Sequence, residues 1–89
     1  MNKTKALISL KKARTSLDKV INMIENDKYC IDIIQQNLAV IWLLKSSNLT
    51  LLENHLNCCF KNAVKNNDNE KLDSMIIEFM KIINMAQNK

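Results

Sequence analysis

The chain has 89 residues and contains neither glycine nor proline. Because tight turns and β-rich folds depend on those two residues, their absence excludes a loop-rich or β-rich fold and favours long helices with few connections. A chain of this length buries only about 60–65% of the surface that its unfolded form exposes, so association with other chains is a common source of further stability. We predict a single all-α domain over residues 1–89.

The net charge is +4 and is placed unevenly. Residues 1–30 hold seven basic and three acidic residues, so the whole excess lies in the first third of the chain. A basic first helix suits nucleic acid, and a solvated helix face gives the same composition. Charge alone therefore leaves both interpretations open.

Three helical segments follow from the spacing of apolar residues. In the first, about residues 3–26, Leu7, Leu10, Leu17 and Ile24 recur at helical steps with lysines between them, which is typical of an amphipathic helix. Polar clusters at residues 26–29 and 66–69 predict turns. We expect the other two helices at about residues 30–66 and 70–86.

The second segment is unusually long for so small a protein. At 1.5 Å per residue a helix over residues 30–66 would extend roughly 55 Å. Its centre, residues 38–44, reads LAVIWLL and is apolar on every side, which implies burial against several neighbours. A partner chain is the simplest way to cover it.

The sequence predicts a cytoplasmic protein without a membrane segment. Its longest apolar run, residues 38–44, has seven residues, against about 20 for a membrane span. The N-terminal residues lack the apolar core of a secretory signal. In a reducing compartment the three cysteines are expected to serve metal or redox chemistry rather than structural disulfides.

Three residues of the second helix predict a metal site. His55 and Cys59 are four residues apart, so both side chains lie on one face about 6 Å apart. Cys30 lies 29 residues before Cys59, roughly 43 Å along a helix, and cannot reach the pair within its own chain. If two such helices pair antiparallel, Cys30 of one protomer meets His55 and Cys59 of its mate, twice per dimer by symmetry.

Two thiolates and one imidazole suit a soft ion of low coordination number. Cu(I) is the first choice, and Zn(II), which usually takes a fourth ligand, or no metal at all are the alternatives. Cys58 is about 100° around the helix from Cys59 and is expected to point elsewhere.

Two stretches resemble the copper-sensitive operon repressor family, whose members include nickel/cobalt, formaldehyde and persulfide sensors. They are residues 23–32, MIENDKYCID, and residues 51–59, LLENHLNCC, with the Cys-x24-His-x3-Cys spacing kept. The resemblance covers about residues 9–86. It implies a three-helix protomer with a long central helix, an antiparallel dimer that forms a four-helix bundle, and usually a dimer of dimers.

The resemblance also implies roles for individual residues. Cys30, His55 and Cys59 align with the family's three copper ligands, and Tyr29 with a residue that supports them. Because persulfide sensors of the family dispense with the histidine, the retained His55 favours a metal. Met75 stands where copper members often carry a glutamate that links the ligand histidine to the third helix.

The basic positions depart from the family in part. Lys11 and Lys12 are kept, whereas Ser9, Asp18 and Ser46 replace basic residues that would neutralise DNA phosphates. Arg14 and Lys19, at neighbouring positions, would compensate for the missing positive charges. The residues predicted to contact DNA are Lys11, Lys12, Arg14, Lys19 and Lys45.

The function implied is a Cu(I)-responsive transcriptional repressor that binds operator DNA as a homodimer or homotetramer and releases it when metal binds. Two alternatives stay open. One is a persulfide-sensing repressor in which Cys30 and Cys59 crosslink, and the other is a copper-binding helical oligomer without specific DNA binding. An enzyme with a small-molecule substrate is not expected, because the chain has one histidine and no phosphate-binding loop.

Overall fold

The structure, a computed structural model, describes residues 3–87 and is helical over that range apart from two short turns. No strand occurs in these residues, so the all-α prediction is confirmed. The predicted second helix begins at Cys30 as expected and ends at Lys65, with one π turn inside it. The elements are α1 (Thr4–Glu25), α2 (Cys30–His55), the π turn (Leu56–Phe60), α3 (Lys61–Lys65) and α4 (Asn69–Gln87).

Backbone contacts divide the chain into two compact units, Met1–Asn54 and His55–Lys89. The first unit contains α1 and α2 up to its penultimate residue, and the second contains the π turn, α3 and α4. The expectation of one domain over residues 1–89 stays a prediction.

Both turns end a helix in the same way and do so without glycine. Asp27 and Asn67 adopt left-handed backbone conformations, with φ of 52° and 54°. After α1, the amide of Lys28 donates a hydrogen bond to the carbonyl of Met23 at 2.9 Å. After α3, the amide of Asp68 donates a hydrogen bond to the carbonyl of Ala63 at 3.0 Å. These are Schellman bonds, which satisfy carbonyls at a helix end, and aspartate and asparagine tolerate the left-handed position better than other residues with a side chain.

The first unit is held together by a seam of small residues between α1 and α2. Ala13 and Val20 of α1 are buried against Val40 of α2, with Ile33 and Leu43 packed at the edge of this cluster. Because interhelical distance depends on the side chains at the contact, alanine and serine allow a close approach. The residues of the seam recur at three- and four-residue steps along each helix. On α1 they are Ala6, Ser9, Ala13, Ser16, Val20 and Met23, and on α2 they are Ile33, Gln36, Val40, Leu43, Ser47 and Thr50.

Larger apolar side chains of this unit lie outside the seam and are exposed in the single chain. On α1 they form a stripe beside it, made of Leu7, Leu10, Leu17, Ile21 and Ile24. On α2 they include Ile34, Leu38, Ile41, Trp42 and Leu49. The apolar centre of the second helix is thus only partly covered by α1. No helix within residues 3–87 combines the length and the apolar character needed to cross a membrane.

The second unit packs α3 against α4. Ala63 and Met75 are its buried residues, and Leu72 and Ile83 are half-buried on α4. The carboxylate of Asp68 accepts a hydrogen bond from the amide of Lys71 at 3.1 Å. Asp68 therefore caps the first turn of α4 and satisfies one of its unpaired amides.

Candidate functional site

The predicted ligand pair lies where the regular α-helix gives way to the π turn. His55 is the last residue of α2 and is exposed, and Cys59 is half-buried inside the π turn. The backbone on either side is ordinary right-handed helix, with φ and ψ of −63° and −45° at His55 and −60° and −39° at Lys61. The irregularity is therefore confined to five residues.

The sequence does not predict this π turn, because no glycine or proline marks it. A π turn closes its hydrogen bonds from residue i to i+5, so side chains within it are displaced around the axis relative to a regular α-helix. Such turns occur frequently at functional sites. Here the π turn contains Cys58 and Cys59, both half-buried, and begins directly after His55.

The third predicted ligand, Cys30, is the first residue of α2. Its thiol is exposed, and the preceding residue, Tyr29, is 70% exposed. The carbonyl of Tyr29 accepts a hydrogen bond from the amide of Ile33 at 3.2 Å, which starts the hydrogen-bond ladder of α2.

Within one chain the structure does not bring a complete ligand set together. Among residues 3–87, no group of three or more histidine, cysteine, aspartate or glutamate side chains is placed to hold a metal ion. Cys30, Cys58 and Cys59 are all free thiols. The assignment of Cys30, His55 and Cys59 to one site stays a prediction that requires a second copy.

Met75, the position without the family's glutamate, is buried in the core of the second unit and is only 6% exposed. A thioether is neither charged nor a strong hydrogen-bond acceptor. This side chain therefore contributes packing rather than a carboxylate partner for a histidine.

Two of the four lysines predicted to contact DNA line an open groove of about 500 Å³ on the first unit. Lys11 and Lys12 line it together with two hydroxyl-bearing and two aliphatic residues, Thr15, Ser16, Ile8 and Leu43. None of these six side chains is acidic. The Thr15 hydroxyl donates a hydrogen bond to the carbonyl of Lys11 at 3.2 Å. The groove therefore offers the two lysine ammonium groups to a ligand, and these suit phosphate oxygens.

The other predicted basic residues are distributed differently. Lys19 follows Lys12 by seven residues, about two helical turns, and so lies on the same flank of α1. Arg14 follows Lys12 by two residues, about 200° around the axis, and lies between Leu10 and Leu17 in the exposed apolar stripe. The structure thus places Arg14 on the flank opposite Lys12.

Lys45 of α2 contacts the one tryptophan of the chain. Its ammonium nitrogen lies 5.4 Å from the centroid of the Trp42 ring, within the range of a cation–π contact. Trp42 was not among the predicted functional residues, because in the sequence it belongs to an apolar run. Its 68% exposure and its lysine partner are visible only in the structure.

The chain is similar to known regulators. A family model described as metal-sensitive transcriptional repressor matches residues 2–85. Relatives named copper-sensing transcriptional repressor CsoR include one of Mycobacterium ulcerans, 47% identical over 62 residues, which are 70% of this chain and 53% of the relative. The protein of that name from Mycobacterium tuberculosis is 37% identical over 79 residues, 89% of this chain and 66% of the relative.

A further relative of the same name, from Bacillus subtilis, is 38% identical over 72 residues, 81% of this chain and 71% of its own length. The chain spans about half to two thirds of the length of the mycobacterial relatives. No solved structure matches it. Since the family model covers nearly the entire sequence, the chain belongs to the metal-sensitive transcriptional repressor family.

Proposed function

We propose that the protein is a Cu(I)-responsive transcriptional repressor that acts in the cytoplasm and has no catalytic role. The observation that carries the proposal is the Cys30, His55 and Cys59 donor set in a chain of the metal-sensitive repressor family. The similarity to proteins named copper-sensing repressors supports copper as the metal.

The chemistry of the donors fits a soft monovalent ion. Two thiolates and one imidazole match the preference of Cu(I), whereas Zn(II) in a structural site usually takes four ligands. Bound Cu(I) would supply metal–ligand bonds that join the α2 helices of two protomers. Tyr29, next to Cys30, is proposed to orient the ligands from outside the donor set, since such supporting residues tune a metal site.

Completion of the site is proposed to require antiparallel pairing of two α2 helices. Cys30 is the first residue of α2 and His55 is the last. Antiparallel pairing of two α2 helices therefore places Cys30 of one chain near His55 of the other. The exposed apolar residues of α1 and α2 support this pairing, because a large exposed apolar surface favours association. We propose an antiparallel dimer that forms a four-helix bundle, and a dimer of dimers as the DNA-binding form.

Operator DNA is the proposed partner of the basic flank. Lys11 and Lys12 in the groove, with Lys19 two turns away, are proposed to neutralise phosphates. Lys45 is proposed to join them from α2. Arg14 lies on the opposite flank of α1 from Lys12, so we propose a lesser role for it in DNA binding than for these lysines.

A thiol-sensing repressor of the same fold is the second candidate, favoured by the three free cysteines, one of them exposed. In that reading a persulfide donor converts the Cys30 thiolate to a persulfide. The Cys59 thiolate of the partner protomer then attacks it and releases hydrogen sulfide as a disulfide forms. Mass spectrometry after treatment with a persulfide donor would detect the interchain crosslink.

Competition of Cu(I) against a chelator of known affinity tests the metal assignment. We expect wild type to compete effectively and His55→Ala to lose at least about 100-fold in affinity, more than removal of a supporting residue usually costs. Equal affinity of the two proteins would remove His55 from the site. An interchain crosslink together with weak copper binding would favour the thiol sensor.

Gel-shift titration tests the repressor assignment. The probe is a duplex recovered from a random-sequence library by the full chain, titrated with and without Cu(I). We expect Cu(I) to weaken DNA binding by about 5- to 150-fold, the range of typical allosteric coupling. If tight copper binding is found and no duplex is enriched, the chain is a copper-binding oligomer and the repressor proposal is wrong.

A further inference from the structure

We propose that Trp42 is a DNA-contacting residue that packs its indole against a base step beside the phosphates held by the lysines. The inference rests on the proposed DNA-binding function and adds to it a base-contacting residue on α2. Trp42 is 68% exposed and is the only tryptophan of the chain. So large an aromatic surface in water is unfavourable unless a partner covers it.

Trp42 lies outside the lining of the groove that Lys11 and Lys12 border, but on the same side of α2 as Leu43. Leu43, the next residue, lines that groove with Lys11 and Lys12. On α2, Val40 and Ser47 face the seam, and Leu43 lies beside them on the side of the groove. Further around the helix axis in the same direction come Ser46 and then Trp42. The indole therefore extends the groove-facing surface of α2 outward.

The contact with Lys45 indicates an anionic partner. The ammonium lies 5.4 Å from the ring centroid, so the indole carries a positive charge beside it. Lys45 is also the only charged residue between Asp32 and Glu53. A duplex offers both complements at once, because its phosphates attract the ammonium and a base step can admit an apolar side chain that is inserted from the groove.

The mate in the antiparallel dimer is a poor occupant for this surface. In the proposed antiparallel pairing, in which Cys30 meets His55 and Cys59, the middle of α2 meets the middle of its mate. The segment opposite Lys45 would then contain another Lys45 and no acidic residue. Burial of an unpaired ammonium there would be costly, so the Lys45 and Trp42 surface is assigned to the outside of the dimer.

The single tryptophan permits a direct test with the selected duplex. We expect the indole emission of wild type to be quenched as the duplex is added, and to return when Cu(I) releases the DNA. Emission that stays unchanged while the gel shift shows binding would overturn the role of Trp42 and leave the repressor function intact. Absence of any gel shift would instead remove the repressor function on which the inference rests.

Substitution separates base contact from phosphate contact. Aromatic contacts with single-stranded bases contribute about 1–3 kcal/mol by alanine substitution, and unstacking of a duplex step offsets part of this gain. We therefore expect Trp42→Ala to weaken binding by about 5-fold, and by no more than about 150-fold, and Trp42→Phe to retain most of it. Because no counterion is released by an indole, the dependence of affinity on salt should be the same in Trp42→Ala and wild type. An altered salt slope would mean that the variant disturbs the lysines instead, and would overturn the proposal.

Ile77→Ala is the matched control, since Ile77 is 69% exposed on α4. It should leave DNA affinity within about twofold of wild type. Sedimentation velocity at the assay concentrations should give the same assembly state for wild type and Trp42→Ala. If Trp42→Ala dissociates the assembly, the indole belongs to an interface between copies and the proposed DNA contact is wrong.

Discussion

The amide of Asp68 donates a hydrogen bond to the carbonyl of Ala63 at 3.0 Å, across a turn whose central residue, Asn67, has a φ of 54°. The same bond closes the turn after α1, where Asp27 takes the place of Asn67. A chain without glycine thus ends two helices with the residue types that tolerate the left-handed conformation best.

This turn geometry makes a prediction about stability. Asn67→Gly should raise the free energy of unfolding by about 0.5–1 kcal/mol, because glycine adopts a positive φ without steric cost, although its greater freedom in the unfolded chain offsets part of the gain. Asn67→Ala should lower it by about 1 kcal/mol. Urea denaturation monitored by circular dichroism measures both. Identical midpoints for the two variants would show that the backbone conformation of residue 67 does not limit stability.

The exposed stripe on α1 predicts how the chain associates. Leu17→Glu places a carboxylate between Leu10 and Ile21, one turn from Arg14. We expect it to weaken self-association by at least about 10-fold, because burial of a charge on dimerisation is costly even when Arg14 pairs with it. Lys19→Glu introduces the same side chain about 200° around the helix and should leave association nearly unchanged. Sedimentation equilibrium compares the two, and equal dissociation would mean that the stripe is not the interface.

The neighbouring thiols of the π turn predict unequal effects on copper binding. Cys59→Ser should lower Cu(I) affinity by at least about 100-fold, because serine is a hard, weakly coordinating replacement for a thiolate. Cys58→Ser should change it by less than about threefold, since Cys58 is predicted to point away from His55. Chelator competition provides the measurement. If Cys58→Ser has the larger effect, the π turn directs the adjacent thiol into the site.

The two flanks of α1 predict different salt dependences of DNA binding. Lys12→Ala should reduce the slope of log affinity against log salt by about 0.9, the value for one phosphate contact. Arg14→Ala removes the same charge from the opposite flank and should leave the slope nearly unchanged. Fluorescence anisotropy at several salt concentrations distinguishes them. Equal reductions in slope would place both flanks against DNA.

Much of the fold was predictable from the sequence, because helix formation depends on local residue order. The absence of glycine and proline, the steps between apolar residues and the two polar clusters predicted three helices within a few residues of their observed ends. The proposed ligand residues were chosen for their chemistry and spacing, and their role stays a prediction. Whether they meet depends on a second copy, which a single chain cannot contain.

Other features depended on which surfaces meet in space. The leucine and isoleucine stripe dominates the apolar pattern of α1, yet the face that packs on α2 is the one with Ala13 and Val20, because close helix packing selects small side chains. The π turn after His55 changes the hydrogen-bond step without any residue that marks it. The sequence by itself determined the helices and indicated the proposed donor set, since both follow from residue type and spacing. Only the tertiary structure decided which flank of α1 borders the groove and that Trp42 is exposed against Lys45, because both depend on how α1 covers α2.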